Sequence, residues 1–199
     1  MALDPARTTH QRRLHGRNVI VALAGRRIDA AAAAEPRFPA SAVDIVRQHI
    51  VAVFEEVHAS ALVSAAACGA DLIAIDVAHQ REMPASIVLP YAADEFRRTS
   101  VVDRGEEWGR SYDVAIRDAE NHERLRVLGL PEGDAAYLAT NEAILDEAVK
   151  RSAGNAGGVL SVIVWDGALH GRTDYTAALA DSAKKRGIVV RRVPILAGA

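Results

Sequence analysis

The sequence predicts a three-layer α/β protein, in which helices cover both faces of a mostly parallel sheet of five or more strands. Short apolar, often β-branched runs alternate with longer segments whose apolar residues recur every three or four positions. The first run, at residues 18–25, is almost wholly apolar, which is typical of a strand covered on both faces. This alternation favours a parallel sheet with right-handed crossovers.

Each element can be placed from its own pattern. The predicted strands lie at residues 18–25, 61–66, 85–90, 159–165 and 188–193. The predicted helices lie at residues 43–57, at about 72–81, within 94–121, at 140–152 and at 174–186. Residues 123–133 contain a short apolar run that fits either a strand or an ordered loop. The charged pair Arg191-Arg192 in the last strand indicates a sheet edge.

This order of elements places function at one rim of the sheet. In open α/β sheets, ligands bind beyond the carboxyl ends of the strands, where the strand order reverses. If the second and third strands lie on one side of the first strand and the strand at 159–165 lies on the other, the reversal falls between these two sides. That arrangement is Rossmann-like. The loop Gly25-Arg26-Arg27 and the loop at 166–173 are then expected to face each other.

The composition argues against several classes of protein, among them nucleic-acid-binding, disulfide-rich and membrane-spanning proteins. Of the 199 residues half are apolar, which suits a single domain at 18–199 after an Arg-rich lead at 1–17 that we expect to be flexible. The formal charge of −2 provides no global field for nucleic acid or a membrane surface. The single cysteine and the absence of a His/Cys cluster predict neither a disulfide framework nor a metal or cofactor site. No apolar run reaches eighteen residues, so we expect a soluble protein, and a single cysteine suits the reducing cytoplasm.

Three loops carry the candidate ligand-binding residues. These residues are Gly25, Arg26, Arg27, Cys68, Gly69, Ala70, Asp71, Asp166, Gly171, Arg172 and Thr173. Backbone amides at the helix starts in the second and third loops are expected to cradle a phosphate or ribose hydroxyls. Arg26, Arg27 and Arg172 are expected to add charge-assisted bonds to a phosphate. Arg37 is expected to clamp the first loop through an ion pair.

Each of these side chains also has a structural interpretation. Arg26 and Arg27 fit a solvated surface turn, and Arg172 fits a solvent-facing side chain in a degenerate site. The Asp71 carboxylate would repel a phosphate, so it fits a helix cap better than an acceptor for a ribose hydroxyl. Cys68 fits a small packing residue better than a nucleophile, because no histidine lies near it in sequence.

Several short motifs follow one another over residues 18 to about 195. They are Gly25 and Arg27, Arg37-Phe38-Pro39, Ala67-Cys68-Gly69-Ala70-Asp71, Leu89-Pro90, Ser100-Val101, Trp108, and Trp165-Asp166-Gly167 with Gly171 and Thr173. Their order resembles the SLOG superfamily, a Rossmann-like group that includes LOG-type phosphoribohydrolases and DprA-like proteins. It looks most like bacterial domains found alone or beside cyclase and tetratricopeptide modules. Arg26 stands where that family has His, and Arg172 replaces the middle glycine of its G-G-T motif, which leaves a phosphate less room beside the backbone.

The resemblance implies binding or sensing of a nucleotide or nucleotide-derived phosphorylated small molecule. The alternative is N-glycosidic hydrolysis of nucleoside monophosphates, as in LOG-type enzymes. The signature P-G-G-x-G-T-x-x-E of those enzymes is absent, and neither Asp174 nor Asp181 matches its glutamate, so no catalytic residue is assigned. A third interpretation is a DprA-like binder of single-stranded DNA, which the charge balance disfavours, or a purely structural oligomerisation unit. A homodimer is expected under each interpretation.

Overall fold

The computed structural model describes residues 18–154, 158–168 and 174–195, and this part of the chain forms a six-stranded, all-parallel sheet between two helical layers. The strands are β1 (Val19–Gly25), β2 (Ala59–Ser64), β3 (Ala85–Leu89), β4 (Leu125–Val127), β5 (Val159–Val164) and β6 (Val189–Val193). The helices are α1 (Val43–Glu56), α2 (Ala70–Gln80), α3 (Ala93–Ser100), α4 (Glu106–Asn121), α5 (Asp134–Arg151) and α6 (Tyr175–Lys185). The predicted three-layer α/β fold is confirmed.

The strand order sets the position of the candidate site. Across the described sheet the order is β4-β3-β2-β1-β5-β6, so the chain moves outwards from β1 to one edge and then returns to the other side of β1. The order therefore reverses between β1 and β5. Gly25, the last residue of β1, is in register with Val164, the last residue of β5. Because the strands are parallel, the loops that follow both of them leave the sheet at the same rim.

Strand β1 separates two apolar cores. Val21 and Leu23 pack into the core beneath α1, α2 and α4. Ile20 and Ala22 pack into the core beneath α5 and α6. Successive side chains of a strand point to opposite faces, and here both faces are covered. This double burial explains why the first apolar run of the sequence shows no polar alternation.

The structure differs from the predicted elements in three regions. Residues 123–133, for which strand and loop stayed open, contain the short edge strand β4, which pairs with β3. Residues 94–121, predicted to hold a single helix, hold α3, the 3-10 turn Val102–Arg104 and α4. The predicted helix at 140–152 begins earlier, at Asp134, after a glycine with a φ of +145°. Strand β6 forms an edge of the described sheet, as its charged centre indicated.

Some predictions fall outside the described residues. The N-terminal lead at 1–17 and the residues Gly171, Arg172 and Thr173 belong to this group, so their interpretation stays a prediction. None of the described helices combines the length and the apolar character needed to cross a bilayer. The same part of the chain contains no group of three or more His, Cys, Asp or Glu side chains arranged to hold a metal ion.

Candidate functional site

The loops after β1 and β5 meet through Arg26. Its guanidinium donates to the Asp166 carboxylate at 3.1 Å, to the Asp174 carboxylate at 2.7 Å and to the Ala168 carbonyl at 2.9 Å. The side chains of Arg26, Asp166 and Asp174 are only 14%, 13% and 5% exposed. Two largely buried carboxylates therefore neutralise Arg26. Its main role in this arrangement is to join the loops, although it was predicted as a phosphate ligand.

Asp174 extends this junction to the start of α6. Its Oδ1 accepts the Ala177 N–H at 3.0 Å, which caps the helix, and its Oδ2 accepts the Trp165 indole N–H at 3.3 Å as well as the Arg26 bond. A capping carboxylate also interacts favourably with the positive end of the helix dipole. The amino end of α6 is thus held against the carboxyl ends of β1 and β5.

The loop after β2 packs backbone to backbone against the loop after β1. The Ala70 N–H donates to the Arg26 carbonyl at 3.1 Å, and the Ile28 N–H donates to the Cys68 carbonyl at 3.2 Å. Gly69 has a φ of +103°, and a Cβ at this position would lie 2.6 Å from the Ile28 nitrogen. The contact therefore requires glycine. It also occupies the Ala70 amide, which was predicted to bind a phosphate.

Gly25 is required for a different reason, because it lies directly beneath α2. A Cβ there would be 2.3 Å from the Ala70 Cβ and 2.7 Å from the Val164 Cβ. Gly25→Ala is expected to lower the free energy of unfolding by about 1–3 kcal/mol, the usual cost of overpacking, in a urea titration. The matched control is Gly158→Ala, since a Cβ at that position meets its nearest neighbour at 3.3 Å. Equal losses in both variants would contradict this prediction.

Arg27 and Cys68 lie together below the surface of the same junction. The Arg27 guanidinium pairs with Asp103 and lies near the Cys68 thiol. Cys68 is fully buried, and this burial raises the pKa of its thiol, against the opposing effect of the Arg27 charge. A buried, protonated thiol is a poor nucleophile, so Cys68 acts as a packing residue. Arg27 keeps 32% of its side chain exposed and can still contact a ligand.

A groove of about 750 Å³ lies outside this junction, and we call it the outer groove. Its walls are formed mainly by residues 25–37, together with Arg104, Tyr175 and Thr176. Four arginines line it (Arg26, Arg27, Arg37 and Arg104) against two carboxylates, Asp29 and Glu35. Ion pairs offset part of this charge, because Asp166 and Asp174 neutralise Arg26, and Arg27 and Arg104 share the Asp103 carboxylate. The outer groove therefore holds several guanidinium donors rather than a large net positive charge.

Arg37 differs from the other arginines of the outer groove. Its guanidinium has no hydrogen-bond or ion-pair partner among the described residues, although an ion pair was predicted for it. The clamp on this loop comes instead from the Asp29 carboxylate, which accepts the N–H groups of Arg37 and Phe38 at 2.7 and 2.8 Å. Arg37 is therefore positioned by its backbone, and its charged group is left for a ligand.

A second, smaller hollow of about 230 Å³ adjoins the outer groove, and we call it the inner cavity. It lies at the carboxyl ends of β1, β2 and β3, against α5. Both hollows are bordered by Gly25, Arg27, Tyr175 and Thr176, so they lie side by side. Most of the inner lining is apolar or aromatic, and a few polar side chains are set into it, which is typical of small-molecule sites.

Hydrogen bonds hold the aromatic wall of the inner cavity in place. The Tyr137 hydroxyl is 2.8 Å from the Tyr91 hydroxyl, and the rings of Tyr137 and Tyr175 are 5.1 Å apart. The Tyr175 hydroxyl donates to Asp134 at 2.7 Å, and its carbonyl accepts the Asn141 side-chain N–H at the same distance. Side chains that are fixed in this way form a preorganised wall rather than a collapsible gap.

Asp71 is the charged side chain set most deeply in the inner cavity. It is 5% exposed, and its Oδ2 accepts the Ala67 N–H at 3.2 Å. Its Oδ1 is buried and accepts no hydrogen bond from a described residue. Burial raises the pKa of this carboxyl to about 7, against the opposing effects of the Ala67 amide, the Ser64 hydroxyl, the Gly25 amide and the Arg27 charge. The residue that caps α2 is Gly69, so Asp71 does not have the capping role that the sequence favoured.

Similarity to known proteins is found at the level of the fold and not of the sequence. No family model and no curated protein matches the sequence. Among solved structures, this chain is similar to DNA processing protein A (DprA) from Streptococcus pneumoniae, with a TM-score of 0.51 and 16% sequence identity. The fold is DprA-like. The match covers 91% of this chain and 52% of the other, so this chain spans about half the length of that protein.

The DprA-like fold brings most of the predicted site residues to one rim of the sheet. Those that meet there are Gly25, Arg26, Arg27, Gly69, Ala70, Asp71 and Asp166, with Cys68 buried directly behind them. Gly171, Arg172 and Thr173 lie outside the described residues.

Sequence reasoning missed the contribution of α5 to the inner cavity. Tyr137, Thr140 and Asn141 line this cavity, yet no motif singled them out. Their helix was predicted to begin only at residue 140, so Tyr137 was not assigned to it. A signal was present, since Thr140 and Asn141 are polar residues on a face of α5 that is otherwise buried and apolar. Polar residues buried on an otherwise apolar helix face often indicate a binding site, because burial of a polar group needs a partner.

Proposed function

We propose that the chain binds a nucleotide or nucleotide-derived phosphorylated small molecule, with its phosphate in the outer groove and another part of it in the inner cavity. The position of an arginine-lined groove next to a largely apolar cavity carries this proposal. Both lie beyond the carboxyl ends of the strands, beside the reversal of strand order, where open α/β sheets bind ligands. Their volumes of about 750 and 230 Å³ suit a ligand that fills both.

The charges of the outer groove support a phosphate rather than a neutral group. Arg27 and Arg104 share a single carboxylate, that of Asp103. Arg37 has no carboxylate partner among the described residues. Guanidinium groups with free donors form strong, often bidentate bonds to phosphate oxygens. Arg26 contributes indirectly, because it holds the two loops together.

Arg37→Ala is expected to weaken the binding of a phosphorylated ligand about tenfold, because one charge-assisted contact is lost. The free energy of unfolding should not change, since the guanidinium stabilises no other group. The measurement is a thermal-shift and calorimetric screen with nucleoside mono- and diphosphates, nucleotide sugars, dinucleotides and cyclic dinucleotides. Arg81→Ala is the matched control, because Arg81 pairs with Glu55 beyond the carboxyl end of α2.

Each result of this screen has a definite meaning. A ligand that stabilises the wild-type protein and the Arg81→Ala variant, but stabilises Arg37→Ala less, supports phosphate binding in the outer groove. Equal affinities for the wild-type protein and Arg37→Ala would remove Arg37 from the site. If no phosphate compound stabilises the wild-type protein, the proposed function is wrong.

A second function, hydrolysis of the N-glycosidic bond of a nucleoside monophosphate, is favoured by Asp71. A carboxyl with a pKa of about 7 can act as a general acid or base near neutral pH. Against this function, Asp174 is occupied by Arg26 and the helix cap, and Asp181 is exposed and paired with Lys184. Chromatography after incubation with nucleoside monophosphates distinguishes the two functions, because only hydrolysis releases a free base.

We also propose membership of the SLOG superfamily and assembly as a homodimer. The order of the sequence motifs and the DprA-like fold support the first proposal. Sedimentation velocity tests the second. DNA binding is disfavoured, since the chain carries a net charge of −2, and a mobility-shift assay with single-stranded DNA at low and high salt would reveal it.

A further inference from the structure

The inner cavity contains a hydrogen-bond acceptor that the described part of the protein does not use. Asp71 Oδ2 is satisfied by the Ala67 amide, but Oδ1 is buried without a donor among the described residues. The Ser64 hydroxyl and the Gly25 amide lie near the carboxyl and favour its charged form, but the Ser64 hydroxyl donates to the Leu23 carbonyl at 3.0 Å, and neither group makes a hydrogen bond of good geometry to Oδ1. Native proteins pair nearly all such groups, and an exception needs a reason. A donor on a bound ligand would supply the missing hydrogen bond.

The walls of the inner cavity indicate the shape of that ligand group. Phe96, Tyr137 and Tyr175 line it, with Pro90 beside them. Aromatic side chains offer flat faces on which heterocyclic bases stack favourably. The volume of about 230 Å³ is smaller than the usual range for a whole ligand of drug size, roughly 300–1,000 Å³. The inner cavity therefore suits one planar part of a larger molecule.

We infer that the inner cavity holds the nucleobase of the ligand and that Asp71 accepts a hydrogen bond from an amino group on this base. The inference rests on the proposed function, because a phosphate in the outer groove directs the remainder of the molecule past Gly25 and Arg27. Carboxylates accept hydrogen bonds from base amino groups in nucleic-acid recognition. The ligand class is then nucleotides of adenine, guanine or cytosine, in preference to those of uracil or hypoxanthine.

Matched pairs of nucleotides that differ in the amino group test this selectivity. Calorimetry compares adenosine with inosine 5′-monophosphate, guanosine with inosine 5′-monophosphate, and cytidine with uridine 5′-monophosphate. At pH 8, where the Asp71 carboxyl is ionised, the wild-type protein is expected to bind the amino member of at least one pair about tenfold or more tightly, as a hydrogen bond to a charged group would produce.

Asp71→Asn is expected to abolish or reverse this preference. The amide oxygen of the new side chain can accept the Ala67 N–H, which leaves its NH₂ group to face the base as a donor. A donor at this position matches the carbonyl groups of uracil and hypoxanthine. Asp181→Asn is the matched control, because Asp181 is exposed on α6, and it is expected to keep the wild-type preference.

A cavity-filling variant provides a second test that does not depend on Asp71. Ala65 is half-buried and lines the inner cavity but not the outer groove. Ala65→Leu is expected to reduce the affinity for nucleotides to that for ribose 5-phosphate, which has no base. If this variant binds nucleotides as tightly as the wild-type protein does, the base does not occupy the inner cavity and the inference is overturned.

The failure of this inference can be told apart from the failure of the proposed function. If nucleotides bind but no pair favours the amino member, or if Asp71→Asn keeps the preference, the inference is wrong and phosphate binding stands. Ribose 5-phosphate binding as tightly as the nucleotides has the same meaning. If no phosphate compound binds, the proposed function is wrong. Binding of free adenine, guanine and cytosine then tests whether the inner cavity holds a base. If a free base binds and Asp71→Asn weakens this binding, the result supports a base in the inner cavity. If no free base binds, the inference is overturned.

Discussion

Asp71→Asn is expected to make the protein more stable at pH 8, by up to about 4 kcal/mol, because it removes a carboxyl whose pKa rises from 3.8 to about 7 on folding. In the unfolded chain Asp71 loses its proton near pH 4, but in the folded chain it keeps the proton to about pH 7. Between these values the folded state binds more protons, so the stability of the wild-type protein falls as the pH rises. Above pH 7 this loss is complete.

Chemical denaturation of the wild-type protein and the variant at several pH values measures this effect. The two proteins are expected to have similar free energies of unfolding near pH 4 and to diverge as the pH approaches 7. Asp181→Asn serves as the control, since its side chain is 67% exposed and makes only a surface ion pair. A pH-independent difference between Asp71→Asn and the wild-type protein would show that burial does not disfavour the Asp71 carboxylate.

Arg26→Ala is expected to have the opposite effect and to lower the free energy of unfolding by about 3 kcal/mol. The substitution removes the cation that the largely buried carboxylates of Asp166 and Asp174 share. An uncompensated buried charge is costly, and the two carboxylates would also repel each other. Because Asp174 caps α6, the loss is expected to loosen the first turn of that helix as well.

Denaturant titrations of Arg26→Ala and Arg37→Ala separate the structural arginine from the arginine assigned to the ligand. Both residues line the outer groove, but only Arg26 is paired with carboxylates among the described residues. Hydrogen exchange at the start of α6 reports the local effect. If Arg26→Ala were as stable as Arg37→Ala, the ion pairs of Arg26 would contribute nothing to the junction of the two loops.

The fold could be predicted well because its signals are local. The double burial of β1 leaves an apolar run that no surface strand would carry, and α1 repeats its buried valines on one face. Helix α3 was missed because its residues are mostly polar and show only Phe96 and Ser100 buried. Strand β4 stayed undecided because it has three residues with a charged centre, and its pairing with β3 is a long-range contact.

The candidate site was predictable in position but not in the roles of its residues. The sequence shows that Arg26 follows a buried strand, yet it cannot show that Asp166 and Asp174 would neutralise it from a distant part of the chain. The same limit applies to Asp71, because its raised pKa results from burial by other elements of the fold. Motifs locate a rim of the sheet, whereas tertiary packing decides which side chains remain available for a ligand.

Strands β4 and β6 form the two edges of the described sheet, where another molecule could add a strand. Strand β4 is three residues long with Arg126 exposed at its centre, and β6 carries Arg191 and Arg192 at its centre. Edge strands that are short or carry charged side chains oppose pairing with a strand from another molecule. Neighbouring copies are therefore discouraged from merging their sheets into one continuous ladder, and a symmetric pair of these molecules is expected to meet through helical surfaces instead.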